Sequence, residues 1–119
     1  MSDEITINAF LSFTNGVRSD EFGETGLTFD MSGTDYVRKT QSVGTSEEAL
    51  NIGEITTPGY ILIRNRDATN FVSLRAATGG ANCVKIKAGE IALFRLASTA
   101  PFVIADTSSV EIEYLLIED

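Results

Sequence analysis

The sequence predicts an all-β protein, an antiparallel β-sandwich of about eight to ten strands with Greek-key or jelly-roll connections. Apolar and polar residues alternate with period two along most of the chain. Segments rich in β-branched and aromatic residues are separated by turn-forming clusters such as "RDAT", "TGGA" and "KAGE". No segment has a convincing helical repeat, so many short strands at regular spacing favour a sandwich or barrel.

The length of 119 residues suits one domain, and we expect a single sandwich over residues 1–119. Hydrophobic residues make up 43% of the chain and charged residues 22%. This is the composition of an ordinary globular protein with a core, and it argues against a disordered or fibrous chain.

The N-terminal segment "EITINAFLSF" predicts the first strand, with one face buried. The residues expected on that face are Ile5, Ile7, Ala9, Leu11 and Phe13. "LTFDM" predicts a similar strand, and "DYVRKTQSV" alternates more weakly, as an exposed or edge strand does. "ALNIG" predicts a short strand after "TSEE", which fits a helix capping box but leaves room for only one helical turn.

Residues 14–26, "TNGVRSDEFGETG", predict a flexible loop or arm. The stretch combines glycines, acidic residues and one exposed-looking aromatic residue, Phe22, and it is longer than a usual hairpin loop. Two interpretations remain open. The segment is either a solvated loop or an arm that orders on contact with a neighbouring subunit, with Phe22 as its anchor.

The second half of the chain predicts six further strands: "GYILIRN", "NFVSLRA", "NCVKIK", "EIALFRLA", "PFVIA" and "SSVEIEYLLIED". Residues 87–90, "KAGE", predict the clearest hairpin, because a glycine takes the positive φ of a tight return. The first and last strands are the longest, and we expect them to pair centrally in the sheets.

The charge of −8, from 9 basic and 17 acidic residues, argues against a nucleic-acid partner. Residues 1–54 carry net −7, residues 55–100 carry +4 and residues 101–119 carry −5. Either these charges meet across strands of the fold, or they form an electropolar surface that docks a partner or a second copy.

The residue inventory predicts that the chain is not an enzyme and has no cofactor or metal. Without histidine, Ser-His-Asp and Cys-His nucleophile pairs are excluded. The single cysteine, Cys83, excludes an internal disulfide and is expected to be a buried, inert thiol. A carboxylate-pair glycosidase remains a minor alternative. Asn65, Asp67 and Asn70 offer oxygen ligands for calcium, although a plain turn is the favoured interpretation.

The composition also bears on carbohydrate binding and on membrane association. Sugar sites favour exposed aromatic residues, but the chain has no Trp, and Tyr60 and Tyr114 lie in strand patterns typical of a core or interface. A carbohydrate-binding module therefore stays an alternative.

No apolar run has the length of a membrane span, and "MSDEITIN" lacks the features of a signal peptide, so we expect cytoplasmic assembly and no membrane partner.

The segments "PGYILIRNRDATNFVSLR", "KAGEIALFRLA" and "VEIEYLLIED" resemble small structural proteins of tailed bacteriophages. The likeness covers roughly residues 59–119, and its motifs are structural. It implies a virion component, specifically a capsid cement or decoration protein that sits as a homodimer or homotrimer on the capsid surface and contacts the major capsid protein. A phage tail or fibre component is the alternative within this class.

If the chain has such a role, we expect its contacts to involve four residues: Arg18, Phe22, Arg64 and Arg66. Arg18 and Phe22 lie in the segment 14–26, and the other two lie at the strand end before "DATN". An aromatic anchor is expected to contribute more than the charged residues of the rim.

Overall fold

The computed structural model describes residues 3–119, and these form ten strands and no helix, which confirms the all-β prediction. The strands are β1 (Ile5–Asn15), β2 (Arg18–Phe29), β3 (Tyr36–Val43), β4 (Glu48–Ala49), β5 (Pro58–Asn65), β6 (Val72–Arg75), β7 (Asn82–Ile86), β8 (Ile91–Arg95), β9 (Phe102–Ala105) and β10 (Val110–Glu118). The chain divides into two compact units, Met1–Ser32 and Gly33–Asp119.

The second unit is a sandwich of two four-stranded antiparallel sheets. Their strand orders are β3-β10-β5-β8 and β4-β9-β6-β7. Strands that follow one another in sequence mostly lie in different sheets, so the chain crosses repeatedly between the two layers. This order is that of an eight-stranded jelly roll, one of the two connection patterns expected from the sequence.

The last strand is central, because β10 pairs with both β3 and β5. The prediction that the first strand pairs with it is wrong: β1 pairs with β2. "DYVRKTQSV" corresponds to β3, which is an edge strand as expected.

The core lies between the two sheets of the sandwich. Strand alternation is the reason, since β5 and β10 send every second side chain inward. Fourteen apolar residues are buried there: Val43, Leu50, Ile55, Ile61, Ile63, Val72, Leu74, Ile86, Val103, Ala105, Val110, Ile112, Tyr114 and Leu116.

Residues 87–90 form a tight turn, but the prediction of a hairpin is wrong. The Glu90 N–H donates to the Lys87 carbonyl at 2.9 Å, and Gly89 has a φ of 78°. The flanking strands β7 and β8 lie in different sheets, so this turn carries the chain between layers. Only one of its central residues has positive φ, whereas the type I′ turn that favours two-residue hairpins needs two.

The "TSEE" segment begins no helix; its last residue, Glu48, begins the two-residue strand β4, which pairs with β9. The Glu48 carboxylate accepts hydrogen bonds from the Gly44 N–H at 3.1 Å and from Gln41 Nε2 at 3.0 Å. These contacts compete with a capping box, and tertiary pairing decides the local conformation.

The prediction that Cys83 is buried is wrong, because its side chain is exposed. Leu74 pairs with Val84 and Arg75 pairs with Asn82, so Cys83 is the extra residue of a β-bulge. Its sulfur lies 3.3 Å from the Leu74 carbonyl oxygen. The inward positions of β7 belong to Val84 and Ile86.

The first unit is a long β-hairpin of β1 and β2. Residues 14–26, expected as a loop or arm, form its tip and most of β2. The register shifts between Ile7 and Ala9, where Gly26 has a φ of 70° and donates its N–H to Asn8 Oδ1 at 2.7 Å. A bulge of this kind suits glycine, which adopts positive φ without a steric penalty. Whether hairpin and sandwich behave as one domain stays a prediction.

Candidate interaction surfaces

The most exposed apolar surface of the described residues is one side of the β1–β2 hairpin, here called the hairpin face. Residues directly opposite each other in antiparallel strands share a face, and the register pairs Leu11 with Phe22, Ile7 with Leu27 and Ile5 with Phe29. The hairpin face therefore comprises Ile5, Ile7, Ala9, Leu11, Phe13, Phe22, Leu27 and Phe29.

The prediction that this face of β1 is buried is wrong. Phe22 is 82% exposed, Leu11 75% and Phe13 54%. Period two does place the apolar side chains together, but a two-stranded sheet supplies no second layer to cover them. Exposed apolar patches of this kind are typical of protein–protein contact sites.

The other side of the hairpin is mostly polar, with Phe10 as its one large apolar residue. Phe10 pairs with Gly23, and a Cβ at Gly23 would stand 2.6 Å from the Phe10 ring and 2.5 Å from the Ala9 carbonyl oxygen. The phenyl ring thus covers the glycine, which accounts for the Phe that interrupts the alternation of "EITINAFLSF".

The hairpin unit is acidic. Residues 3–32 contain six acidic residues and one basic residue, Arg18. Arg18 begins β2 and pairs with Asn15 beside the tip, so its side chain lies at the end of the hairpin face, near Asp20. A partner for this unit would therefore need apolar surface together with positive charge.

A second exposed apolar surface lies on the sandwich, on the outside of the β3-β10-β5-β8 sheet. Cross-strand pairing aligns Arg38, Leu115, Leu62 and Leu93 in one row. The next row contains Glu113, Arg64 and Ile91. We call this surface the sheet face, defined by Arg38, Leu62, Arg64, Ile91, Leu93 and Leu115.

The four apolar residues of the sheet face are partly exposed, from 36% at Leu93 to 61% at Ile91. Most of the sheet-face residues, with Glu113 and Tyr114, line a shallow concavity of about 250 Å³. An enclosed site of about 150 Å³ can hold a benzene ring. The concavity is therefore large enough to receive one phenyl side chain.

Some of the charged side chains beside this concavity form ion pairs within the chain, and others do not. Glu113 accepts from Arg38 Nη2 at 2.5 Å and from Arg66 Nη1 at 2.7 Å, and these two guanidinium groups hold the pKa of the carboxyl below its usual value. Arg66 also lies 3.7 Å from Glu111. Arg64 pairs with Glu113 in register, yet within residues 3–119 it makes no ion pair, because both Glu113 oxygens are engaged by other residues.

Ion pairs elsewhere support the interpretation that the segregated charges meet across strands. Three arginines of the basic segment 55–100 bind acids of the two flanking segments. The pairs are Arg66 with Glu111 and Glu113, Arg75 with Glu47, and Arg95 with Asp119. These pairs engage three of the six basic residues of the segment 55–100, and Arg64 is among the basic residues for which no ion pair is formed within residues 3–119.

Asn65, Asp67 and Asn70 lie in a segment held by internal hydrogen bonds. The Asp67 carboxylate accepts from the backbone N–H groups of Asn70 and Thr69, at 2.7 and 3.0 Å, which hold its pKa below the usual value. The Asn65 Oδ1 accepts from the Asp67 N–H at 2.7 Å. In the part of the chain that the structure describes, no group of three or more His, Cys, Asp or Glu residues is placed to hold a metal ion.

Two other polar groups with shifted pKa values have structural roles. Glu47 accepts from the Gly79 N–H at 2.7 Å, and this bond, with those from Thr78 and Arg75, lowers the pKa of its carboxyl. Burial raises the pKa of Tyr114 to about 12, and its hydroxyl donates to the Asn51 carbonyl at 2.6 Å. Both groups hold loops in place through these hydrogen bonds.

No helix within residues 3–119 has the length and apolar character needed to cross a membrane.

The structure places the four predicted contact residues in two groups. Arg18 and Phe22 lie on the hairpin, and Arg64 and Arg66 lie at one end of β5, around Glu113. Their role in contacts stays a prediction.

Sequence reasoning missed Leu11 and Phe13 as exposed neighbours of Phe22, because it assigned them to a core. It also missed Leu62 and Leu115, which read as ordinary strand residues.

No protein-family model, no curated protein and no solved structure matches this chain. The resemblance to phage structural proteins therefore rests on the quoted segments alone.

Proposed function

We propose that this chain is a capsid cement (decoration) protein of a tailed bacteriophage, which bridges major capsid proteins on the virion surface and stabilises the shell. The observation that carries the proposal is the exposed hairpin face of a chain whose other unit is a well-packed jelly roll. Large exposed apolar patches favour protein–protein contact, and jelly rolls recur in viral capsid proteins. Non-enzymatic adhesion is the activity that such a surface supports.

The mechanism is assembly into an oligomer that is repeated over a shell. Each docked copy raises the effective concentration for its next contact, so individually weak contacts hold firmly together. Closed symmetry allows the same surface patches to serve every copy. A rigid sandwich suits this role, because a flexible module would lose conformational entropy at every contact.

The electrostatics are consistent with a virion surface position. The chain carries −8 overall, so it has little attraction for a packaged genome. No nucleic-acid or membrane partner is therefore part of the proposal, and assembly takes place in the host cytoplasm.

Within this function, the four predicted contact residues have unequal roles. Phe22 is the anchor, because full burial of a large apolar side chain contributes about 1.5–3 kcal/mol. Arg64 has no internal ion pair and is available to an acidic partner. Arg66 is engaged with Glu113, so it orders the sandwich more than it binds. Arg18, at the tip, contributes a modest rim interaction.

The test uses particles of the phage that encodes the chain, prepared without it by deletion of its gene. Purified tagged chain is added, bound copies per particle are counted, and the tag is located by gold labelling in negative stain. We expect saturable binding with label over the capsid. Label on the tail would replace this proposal by a tail or fibre component, and absence of binding would overturn it.

A matched pair of variants tests the anchor. Phe22→Ala is expected to reduce occupancy at least tenfold at subsaturating concentration, whereas Phe10→Ala, on the other side of the same hairpin, retains most of it. Equal occupancy for Phe22→Ala and the unmodified chain would remove Phe22 from the contact. Saturable micromolar binding on a glycan array, without particle binding, would instead favour a carbohydrate-binding module.

A further inference from the structure

The hairpin face is an incomplete structural layer. A two-stranded hairpin alone is at best marginally stable in water and needs a further packed layer. Five of its large apolar residues are at least 38% exposed in the single chain: Leu11, Phe13, Phe22, Leu27 and Phe29. The sheet face also has exposed apolar side chains, Leu62, Ile91, Leu93 and Leu115, each at least 36% exposed.

We infer that the hairpin face of one copy packs across the sheet face of a second copy. The contact joins two pleated surfaces, each apolar in its centre, as the layers of a β-sandwich do. The concavity among Leu62, Leu115 and Arg64 receives an aromatic side chain from the hairpin, and Phe22, the most exposed of its phenylalanines, is placed to supply it.

Charge complementarity identifies the second copy as the partner. The hairpin unit carries a net charge of −5 over residues 3–32, with Asp20 and Glu24 in register with hairpin-face residues. The sheet face contains Arg38 and Arg64 beside Glu113. Arg38 is paired with Glu113, whereas Arg64 makes no ion pair within residues 3–119. Two acidic hairpins would repel each other, whereas hairpin on sheet brings the acidic residues of one copy close to Arg64 of the second.

The size of the two surfaces fits a specific contact. About ten residues of paired strand, at 3.4 Å per residue, span roughly 34 Å, and a strand pair roughly 10 Å wide covers about 340 Å². Each chain has one face of each kind, so a closed arrangement covers about 700 Å² per chain. This is close to the ~800 Å² per partner of a standard interface.

The contact joins two different patches, so it closes as a reciprocal dimer or as a ring such as a trimer. It does not depend on the capsid role, because it is a property of the purified chain. A chain that self-associates but ignores particles would sink the proposed function alone, and a monomer that binds particles would sink this inference alone.

The first experiment measures the solution mass of the purified full chain by sedimentation at roughly 10–100 μM, where micromolar dissociation constants are resolved. The unmodified chain is expected as a dimer or trimer. Phe22→Ser in the hairpin face and Leu115→Glu in the sheet face are each expected to weaken association by about 100-fold, since every copy carries the change. Phe10→Ser, on the other side of the hairpin, and Ser108→Glu, in the exposed loop before β10, are the controls, and both are expected to associate normally.

A mixing experiment then distinguishes hairpin-on-sheet contact from other modes. The Phe22→Ser chain keeps an intact sheet face, and the Leu115→Glu chain keeps an intact hairpin face. Mixed together, they are expected to form a heterodimer through one intact contact, although each alone is monomeric. This restoration also excludes misfolding as the cause of the loss.

Three outcomes would overturn the inference. The first is an unmodified chain that is still a monomer at roughly 100 μM, a concentration at which a contact with a micromolar dissociation constant would be occupied. The second is normal association of Leu115→Glu together with loss of association in Phe22→Ser, which would indicate hairpin-on-hairpin contact. The third is a mixture of the two variants that forms no heterodimer.

Discussion

Asn65→Asp is expected to destabilise the sandwich by about 2–6 kcal/mol at neutral pH. The side chain is fully buried and its Nδ2 donates to the carbonyls of Asn70 and Ile86, both at 2.9 Å. The substitution preserves shape and keeps the acceptor for the Asp67 N–H, but it removes both donors. Each buried carbonyl left without a partner costs about 1–3 kcal/mol, which gives the range.

The expected effect depends on pH. A buried carboxyl at this position, facing two carbonyls, would have a raised pKa. Its protonated form is favoured in the folded state and can donate to one of the two carbonyls. The destabilisation is therefore smaller in acid and grows as the pH rises above the unfolded-state value of about 3.9.

The assay is urea unfolding followed by far-UV circular dichroism, at neutral pH and near pH 4, with midpoint and slope fitted together. Asn82→Asp is the control, since the exposed Asn82 side chain serves Arg75 Nε as an acceptor, which a carboxylate preserves. If both variants unfold at the same urea concentration as the unmodified chain, the assignment of Asn65 as a donor that holds the β5–β6 connection is refuted.

Three further substitutions test other features of the sandwich. Tyr114→Phe leaves the Asn51 carbonyl without its 2.6 Å donor and is expected to cost about 1–3 kcal/mol in urea unfolding. Glu47→Gln is expected to reduce the acid sensitivity of the free energy of unfolding. The lowered pKa of Glu47 means that its stabilisation is present above the ordinary value of 4.5 and is lost as the pH falls through the folded value, when its bond from Gly79 weakens. Gly89→Ala places a side chain at a φ of 78° in open space and is expected to lower the melting temperature through about 1–2 kcal/mol of backbone strain.

Each of these predictions has a matched control with the same chemical change elsewhere. Tyr36→Phe alters an exposed tyrosine and should leave the urea midpoint unchanged. Glu54→Gln alters an exposed carboxyl, and a pH profile as flat as that of Glu47→Gln would contradict the role given to Glu47. Gly44→Ala adds a Cβ at ordinary contact distance without positive φ, so a loss equal to that of Gly89→Ala would argue against strain.

The hairpin illustrates where sequence patterns misled and why. Alternation in "EITINAFLSF" fixes which side chains of β1 share a face, and the structure agrees. Alternation does not specify whether another layer covers that face, because burial depends on contacts far away in sequence. The same limit applies to residues 14–26, where the pairing of Leu11 with Phe22 turns a glycine-rich segment into a strand.

The sandwich was easier to predict because its strands alternate strongly and turn residues separate them. The sequence predicts the position of the turn at residues 87–90 correctly but not the strands that it connects. A turn with two central residues can join neighbouring strands of one sheet, or it can carry the chain from one sheet to the other. Cys83 shows a related limit: a single bulge changes which way a side chain points, and its position depends on the partner strand.

By itself, the sequence determined the all-β class, most of the strands, the tight turn at residues 87–90 and the absence of histidine chemistry, because these follow from local alternation, turn residues and composition. Only the tertiary structure decided the jelly-roll order, the exposure of the hairpin face and the alignment of Leu62, Leu115 and Arg64 on the sheet face. Those features come from pairing between segments distant in sequence, where register and layer contacts, rather than local preference, set which surfaces remain open to a partner.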